Sequence, residues 1–145
     1  MGNIDIYIYS SIKGRTPKSG KCMYILEAMT SLGAAQRGDT LQVENMTGYQ
    51  SELYALDKAL KRLNTSCSLR IHAFDNNLMA ALQNGWYRTW AENGYKNSRS
   101  EDIQYAEEWK LFVKLLGNST ITDVVSDRHA NLSWMEFECK GDTHV

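Results

Sequence analysis

The stretch "TGYQSELYALDKALKRLNTSCSLRIHAFDNN", residues 47–77, changes its hydrophobic period from three or four residues to two. Over 49–63, Leu53, Leu56, Leu60 and Leu63 recur every three or four residues, the stripe of an amphipathic helix. Its last turn is basic, as the helix dipole favours. Over 67–75, "CSLRIHAFD" reads as a strand ending at Asp75. Strands joined through helices lie parallel and are covered by those helices. The same stretch places Glu52 in the first turn of the helix and Asp75 at the carboxyl end of the strand, where functional groups gather in such sheets. Two carboxylates from different elements can share a divalent metal. Each also has a plain structural use, Glu52 in dipole compensation and Asp75 as a turn cap.

Working outward, residues 3–9 alternate Ile4, Ile6 and Ile8 with Asp5, Tyr7 and Tyr9, which is strand periodicity. "KGRTPKSGK", 13–21, combines the only proline with two glycines and four basic side chains and reads as a loop. Strands follow over 22–29 and 38–46, so the amino-terminal third is a meander. Downstream, a helical stretch runs through Leu82, a polar aromatic segment over 84–100, a helix over 101–117, a strand over 119–126 and a short helix over 132–138. The fold class expected is α/β: a mixed five-stranded sheet, with a three-strand antiparallel meander followed by parallel strands, flanked by helices. Residues 1–145 read as one domain.

Apolar content of 43% and charged content of 23% suit a soluble globule, and a net charge of −1 gives no global attraction to nucleic acid or membrane. Cys22, Cys67 and Cys139 form no CxxC pair, which argues against a disulfide framework or structural zinc and fits a reducing, cytoplasmic setting. No apolar run approaches the roughly 20 residues of a membrane span. Walker, GxSxG and HExxH patterns do not occur. His72, inside a strand, reads as structural, and His144, near the carboxyl end, suggests no role.

The order of these features resembles ribonuclease H of the bacterial type. "TGYQSELYALDKAL" matches the family's turn and helix, making Glu52 its helix glutamate, and "IHAFDNN" matches the next strand end, making Asp75 its aspartate and placing Asn77 beside it. "GWYRTWAENGYKN" is similar to the tryptophan-rich handle and keeps Trp86, Trp90, Gly94 and Lys96. Trp109 matches the tryptophan of the following helix, and His129 the mobile histidine after the last strand. The resemblance implies hydrolysis of the RNA strand of an RNA–DNA hybrid, with magnesium or manganese held by clustered carboxylates. It implies catalytic roles for Glu52, Asp75 and His129, and metal binding by Glu52 and Asp75. It also implies nucleic-acid contacts from Lys13, Arg15, Lys18, Thr47, Asn77, Trp86, Arg88, Trp90 and Lys96. Basic side chains with interleaved aromatics suit backbone contact and stacking, while Trp86 and Trp90, spaced i, i+4, also suit a core-facing helix stripe.

The departures from the family pattern decide what chemistry is expected. Its first-strand aspartate aligns with Tyr9, or with Ser11 if the strand slides by two, and its last-helix aspartate aligns with Cys139. Of the Thr-Asn-Asn turn that grips a DNA phosphate, only Thr47 remains. A phenol is a poor magnesium ligand and a thiolate suits softer metals. Asp5 shares the face of Tyr9 but stands four residues away, roughly 13 Å along a strand. The expectation is a ribonuclease H-like nucleic-acid-binding domain with weak or lost metal-dependent cleavage, the metal loosely held or absent. One alternative is an active enzyme with a displaced ligand set drawing on Glu136 or Glu138. Another keeps only the fold and binds a protein partner or a second copy, through Trp134, Phe137 and other apolar groups.

Overall fold

The computed structural model describes residues 2–140, so His144 lies outside it. Strands β1 (Gly2–Ser10), β2 (Lys18–Thr30), β3 (Gly33–Met46), β4 (Cys67–His72) and β5 (Thr120–Val125) form one sheet in the order β3-β2-β1-β4-β5. The first three pair antiparallel, whereas β1 pairs parallel with β4 and β4 parallel with β5. Helices α1 (Gly48–Leu60), α2 (Asn76–Gln83), α3 (Trp86–Glu92), α4 (Ala106–Leu116) and α5 (Leu132–Lys140) complete the fold. This is the mixed sheet that the periodicities predict.

Alternation along β1 builds two cores. Ile6 and Ile8 point to a large one, with Leu69 and Ile71 of β4, the leucines of α1, and Trp109 and Phe112 of α4. Tyr7 and Tyr9 point the other way, into a small core with Met23, Ile25, Leu132, Met135 and Cys139. Helix α5 therefore covers the face that carries the two tyrosines, and Tyr9 is only 3% exposed.

Several boundaries differ from the sequence reading for local reasons. Strands β2 and β3 extend to a tight turn in which Leu32 N donates to Thr30 Oγ1 and the Thr30 hydroxyl donates to Gly33 O. Ladder hydrogen bonds need no large apolar side chains, so residues 33–37, Gly-Ala-Ala-Gln-Arg, still pair. Strand β4 stops at His72, because Phe74 N and Asp75 N turn to a side-chain carboxylate of α1. Helix α4 starts later than the 101 expected: Tyr105 has a left-handed φ of 59°, and the helix begins at Ala106 with Glu107 and Glu108 in its first turn. At the start of α1, a Cβ on Gly48 would meet Ile12 O at 3.0 Å, so glycine lets the helix abut the β1–β2 loop without displacing its backbone. Gly48 N also donates to Gly14 O. Among the described residues, no helix is long and apolar enough to cross a membrane.

Candidate functional site

Glu52 lies beyond the first turn of α1, which holds no acidic residue, and it is 1% exposed. Dipole compensation is therefore not its role. Its Oε1 accepts from Phe74 N and Asp75 N, both at 3.0 Å. Burial nevertheless pushes its pKa up to about 7, against the pull of those amides and of Lys13. Asp75 stands three residues past the end of β4 and caps α2, its Oδ1 accepting from Leu78 N at 2.9 Å. The amide of Asp75 thus ties the two residues together, and each carboxylate holds one oxygen in a backbone bond.

The positions that the resemblance sets against the other two family carboxylates, Tyr9 or Ser11 and Cys139, hold no acid. Tyr9 is buried beneath α5. Cys139 is 3% exposed, and burial lifts its thiol to about 11, so it is neutral at physiological pH. Glu138 accepts from Trp134 Nε1 at 3.2 Å, and Glu136 makes itself felt on the ammonium of Lys13. No group of three or more His, Cys, Asp and Glu side chains able to hold a metal ion occurs among the described residues. A pair of hard cations requiring near-octahedral oxygen does not fit this donor set.

Two serines fix the end of β1 against α1. The Ser51 hydroxyl donates to Gly48 O at 2.9 Å, which leaves Ser10 as donor in the 2.6 Å bond between the two hydroxyls. Ser10 Oγ also accepts from Ile12 N. The loop that follows is thereby aimed with its two basic residues apart. Arg15 lines a cleft of about 600 Å³ that also takes in Thr47, Asp75, Asn77, Trp86, Trp90 and Tyr105. Lys13 instead lies over the Tyr9 ring, 4.4 Å from its centroid. That is a correction to the expected binding groove, and it follows from the bend at Gly14, whose φ is 83°.

The cleft has a rigid frame. Thr47 caps α1, accepting from Gln50 N, and its hydroxyl is 2.6 Å from that of Tyr105. Trp90 packs edge-on against Trp109 at 5.2 Å, while Trp86 is 46% exposed. The two rings therefore do not share a core-facing stripe: Trp90 anchors α3 and Trp86 is presented to solvent. The remaining basic candidates do not line the cleft. Lys18 opens β2 opposite Met46, Arg88 stands over the Tyr87 ring, and Lys96 pairs with Asp102.

His129 is packed rather than free. Its ring centroid lies 4.5 Å from that of Tyr7, 5.5 Å from that of His72 and 6.4 Å from that of Phe74. Its Nδ1 accepts from Asn131 N, its Nε2 is buried without a hydrogen bond, and burial lowers its pKa. Beside it, His72 is 4% exposed, with Nε2 2.9 Å from Asp5 and Nδ1 2.9 Å from Asp127. Sequence reasoning expects a structural His72 but misses this clamp. Asp5 shares its face with Tyr7 and Tyr9, and Asp127 follows β5 by two residues, so only the strand order brings them together.

No family model matches the chain. A ribonuclease H of Syntrophomonas wolfei is 28% identical over 110 residues, covering 75% of this chain and 75% of that protein. One from Chlorobium phaeobacteroides is 23% identical over 119 residues, covering 82% and 78%. Among solved structures, LC9-RNase H1, described as a type 1 RNase H with the type 2 active-site motif, superposes with a TM-score of 0.74 at 14% identity, covering 97% of this chain and 72% of its own. A foamy viral protease-reverse transcriptase in complex with RNA/DNA hybrid gives 0.69 at 14% identity, over 99% of this chain and 20% of that one. The fold of this chain is ribonuclease H-like.

Proposed function

We propose that this chain is a nucleic-acid-binding domain that holds an RNA–DNA hybrid and cleaves it weakly or not at all. The observation that carries this reading is the contrast around Asp75. On one side, Tyr9 and Cys139 are buried, neutral groups at the positions where the family pattern has carboxylates. On the other, Arg15, Asn77 and an exposed Trp86 line an open cleft. An arginine and a stacking ring serve any strand that tracks the cleft. Hydrolysis with two cations, by contrast, needs several anionic oxygens at one point. Support also comes from the relatives, which are named ribonuclease H, and from the neighbour that is in complex with RNA/DNA hybrid.

A second reading, an active enzyme with magnesium or manganese on a displaced ligand set, draws on Glu136, whose charge reaches Lys13. The test is a titration of labelled hybrid in chelator across a salt series. Binding should weaken steeply with salt, with a log–log slope of about −0.9 for each duplex phosphate contacted. A salt-independent affinity, or no affinity at low salt, contradicts the proposal. Product formation in the same samples once magnesium is supplied favours the second reading.

A further inference from the structure

Loop 11–17 sends one basic residue to the cleft and the other to the centre, and the second has no counterpart in the carboxylate pattern. The Nζ of Lys13 lies 4.4 Å from the centroid of the Tyr9 ring and 5.8 Å from that of Phe74. Tyr9 aligns with the family's first aspartate, and Phe74 N is bonded to Glu52. The ammonium is thus held among the residues that would surround a metal. An ammonium over aromatic faces is attracted by their quadrupoles. Burial lowers the pKa of this ammonium; among the charged groups around it Glu52 and Glu136 favour the charge and Lys140 opposes it. The Lys140 ammonium stands 5.5 Å from the same Tyr9 ring. Lys13 and Lys140 are both exposed residues, whereas Tyr9 beneath them is buried.

A single ammonium asks less of its surroundings than a pair of divalent ions. It carries one charge and three N–H donors and needs no octahedral set of oxygens. Glu52 when ionised, with Glu136, can balance it, so acids at the positions of the phenol and the thiol are not required for this cation. A divalent ion entering the same space would meet the charge of Lys13 at short range and find two carboxylates instead of four.

We propose that Lys13 is the resident cation of this centre: its ammonium takes the place of the divalent ions and receives a phosphodiester of the bound strand directly, without metal. The phosphodiester half rests on the nucleic-acid-binding function proposed above, and the metal half does not.

Two measurements separate the halves. Manganese alone is titrated into the full chain and followed by the paramagnetic resonance of the free ion. No bound ion is expected at protein-stoichiometric concentrations, and stoichiometric binding overturns the metal half. Labelled RNA–DNA hybrid is then titrated in chelator and in magnesium at matched ionic strength, with equal affinities expected. In chelator, Lys13→Met should weaken binding about tenfold, and Lys13→Arg, which keeps the charge, should stay within about threefold of the natural chain. Circular dichroism confirms that both variants fold. Affinity that depends on magnesium, or Lys13→Met binding as well as the natural chain, overturns the proposal. If no form binds hybrid at low salt, the phosphodiester half falls with the binding function, while the manganese titration still decides what the centre holds.

Discussion

The centre beneath α5 and the cleft beside α3 share Asp75, yet they are built from opposite materials. In the centre, Tyr9 and Cys139 are packed with Met23, Ile25, Leu132 and Met135, and Lys13 and Lys140 stand over the Tyr9 ring. In the cleft, Thr47 and Tyr105 are hydrogen-bonded to each other, Trp90 is braced by Trp109, and Trp86 and Asn77 face outward. One region packs a phenol and a thiol among apolar side chains, and the other presents polar and stacking groups on a rigid frame. Binding and cutting, as proposed above, would draw on these different parts of the fold.

The largest expected effect comes from making the centre acidic. Tyr9→Asp and Cys139→Asp combined with Lys13→Ala should bind manganese and raise hybrid cleavage at least about a hundredfold over the natural chain. Without metal the same variant should melt at a lower temperature, since it buries two carboxylates. A folded variant that neither binds manganese nor cleaves would break the contrast between the two regions.

Next in size is Trp86→Ala. The ring is 46% exposed, so its loss should leave the melting temperature unchanged. Hybrid affinity should fall about tenfold, the usual worth of one stacked base. Unaltered affinity would mean that the strand does not run through the cleft.

Stability against pH sharpens the picture of the centre. Glu52 is raised from 4.5 to about 7 by burial, and Asp57, 3% exposed in α1, is raised from 3.8 to about 8 by burial and by Glu108. Both hold their protons more tightly folded than unfolded. Their contribution is therefore greatest in acid and declines as pH rises from the ordinary carboxylate range through about 7 and 8. Thermal melts should show stability falling by several kcal/mol from pH 5 to pH 8. Asp57→Asn should remove its share and raise stability at pH 8, leaving the part due to Glu52. A melting temperature that rises toward pH 8 would contradict the buried, metal-free state of Glu52.

The smallest effect is expected at Lys96. It is half exposed and pairs with Asp102, so Lys96→Ala should change stability by less than about 1 kcal/mol. The salt slope of hybrid binding should not move, and a shift of about one unit would place a phosphate at Lys96 after all.

Much of the fold is legible in residues 3–9 and 49–63. The alternation of isoleucine with tyrosine and the leucine spacing each follow from one local geometry. The approach of Glu52 to Asp75 is legible too, because the order helix then strand brings them to the same end of the sheet. What period cannot say is which element covers a face. The alternation puts Asp5, Tyr7 and Tyr9 on one face, and only the docking of α5 and the 126–131 segment makes that face a buried core and a histidine clamp. Glu52 reads as a first-turn residue because the helix was expected at 49, but Thr47 caps it at Gly48. The destination of Lys13 is invisible in a loop rich in basic residues, since it depends on the bend at Gly14 and on rings from β1 and from the segment after β4. Asp57 offers no signal at all: a carboxylate within a leucine-striped helix usually faces water, and here α1 is covered on that side as well.

The most direct measurement is cleavage of an end-labelled RNA–DNA hybrid by the natural chain, first in magnesium and then in manganese, beside a Glu52→Gln control. The account predicts RNA that stays largely intact in both metals, with product at most slightly above the control. Rapid turnover that chelator abolishes and Glu52→Gln removes would contradict it, because a working pair of cations would then sit where Lys13 is placed.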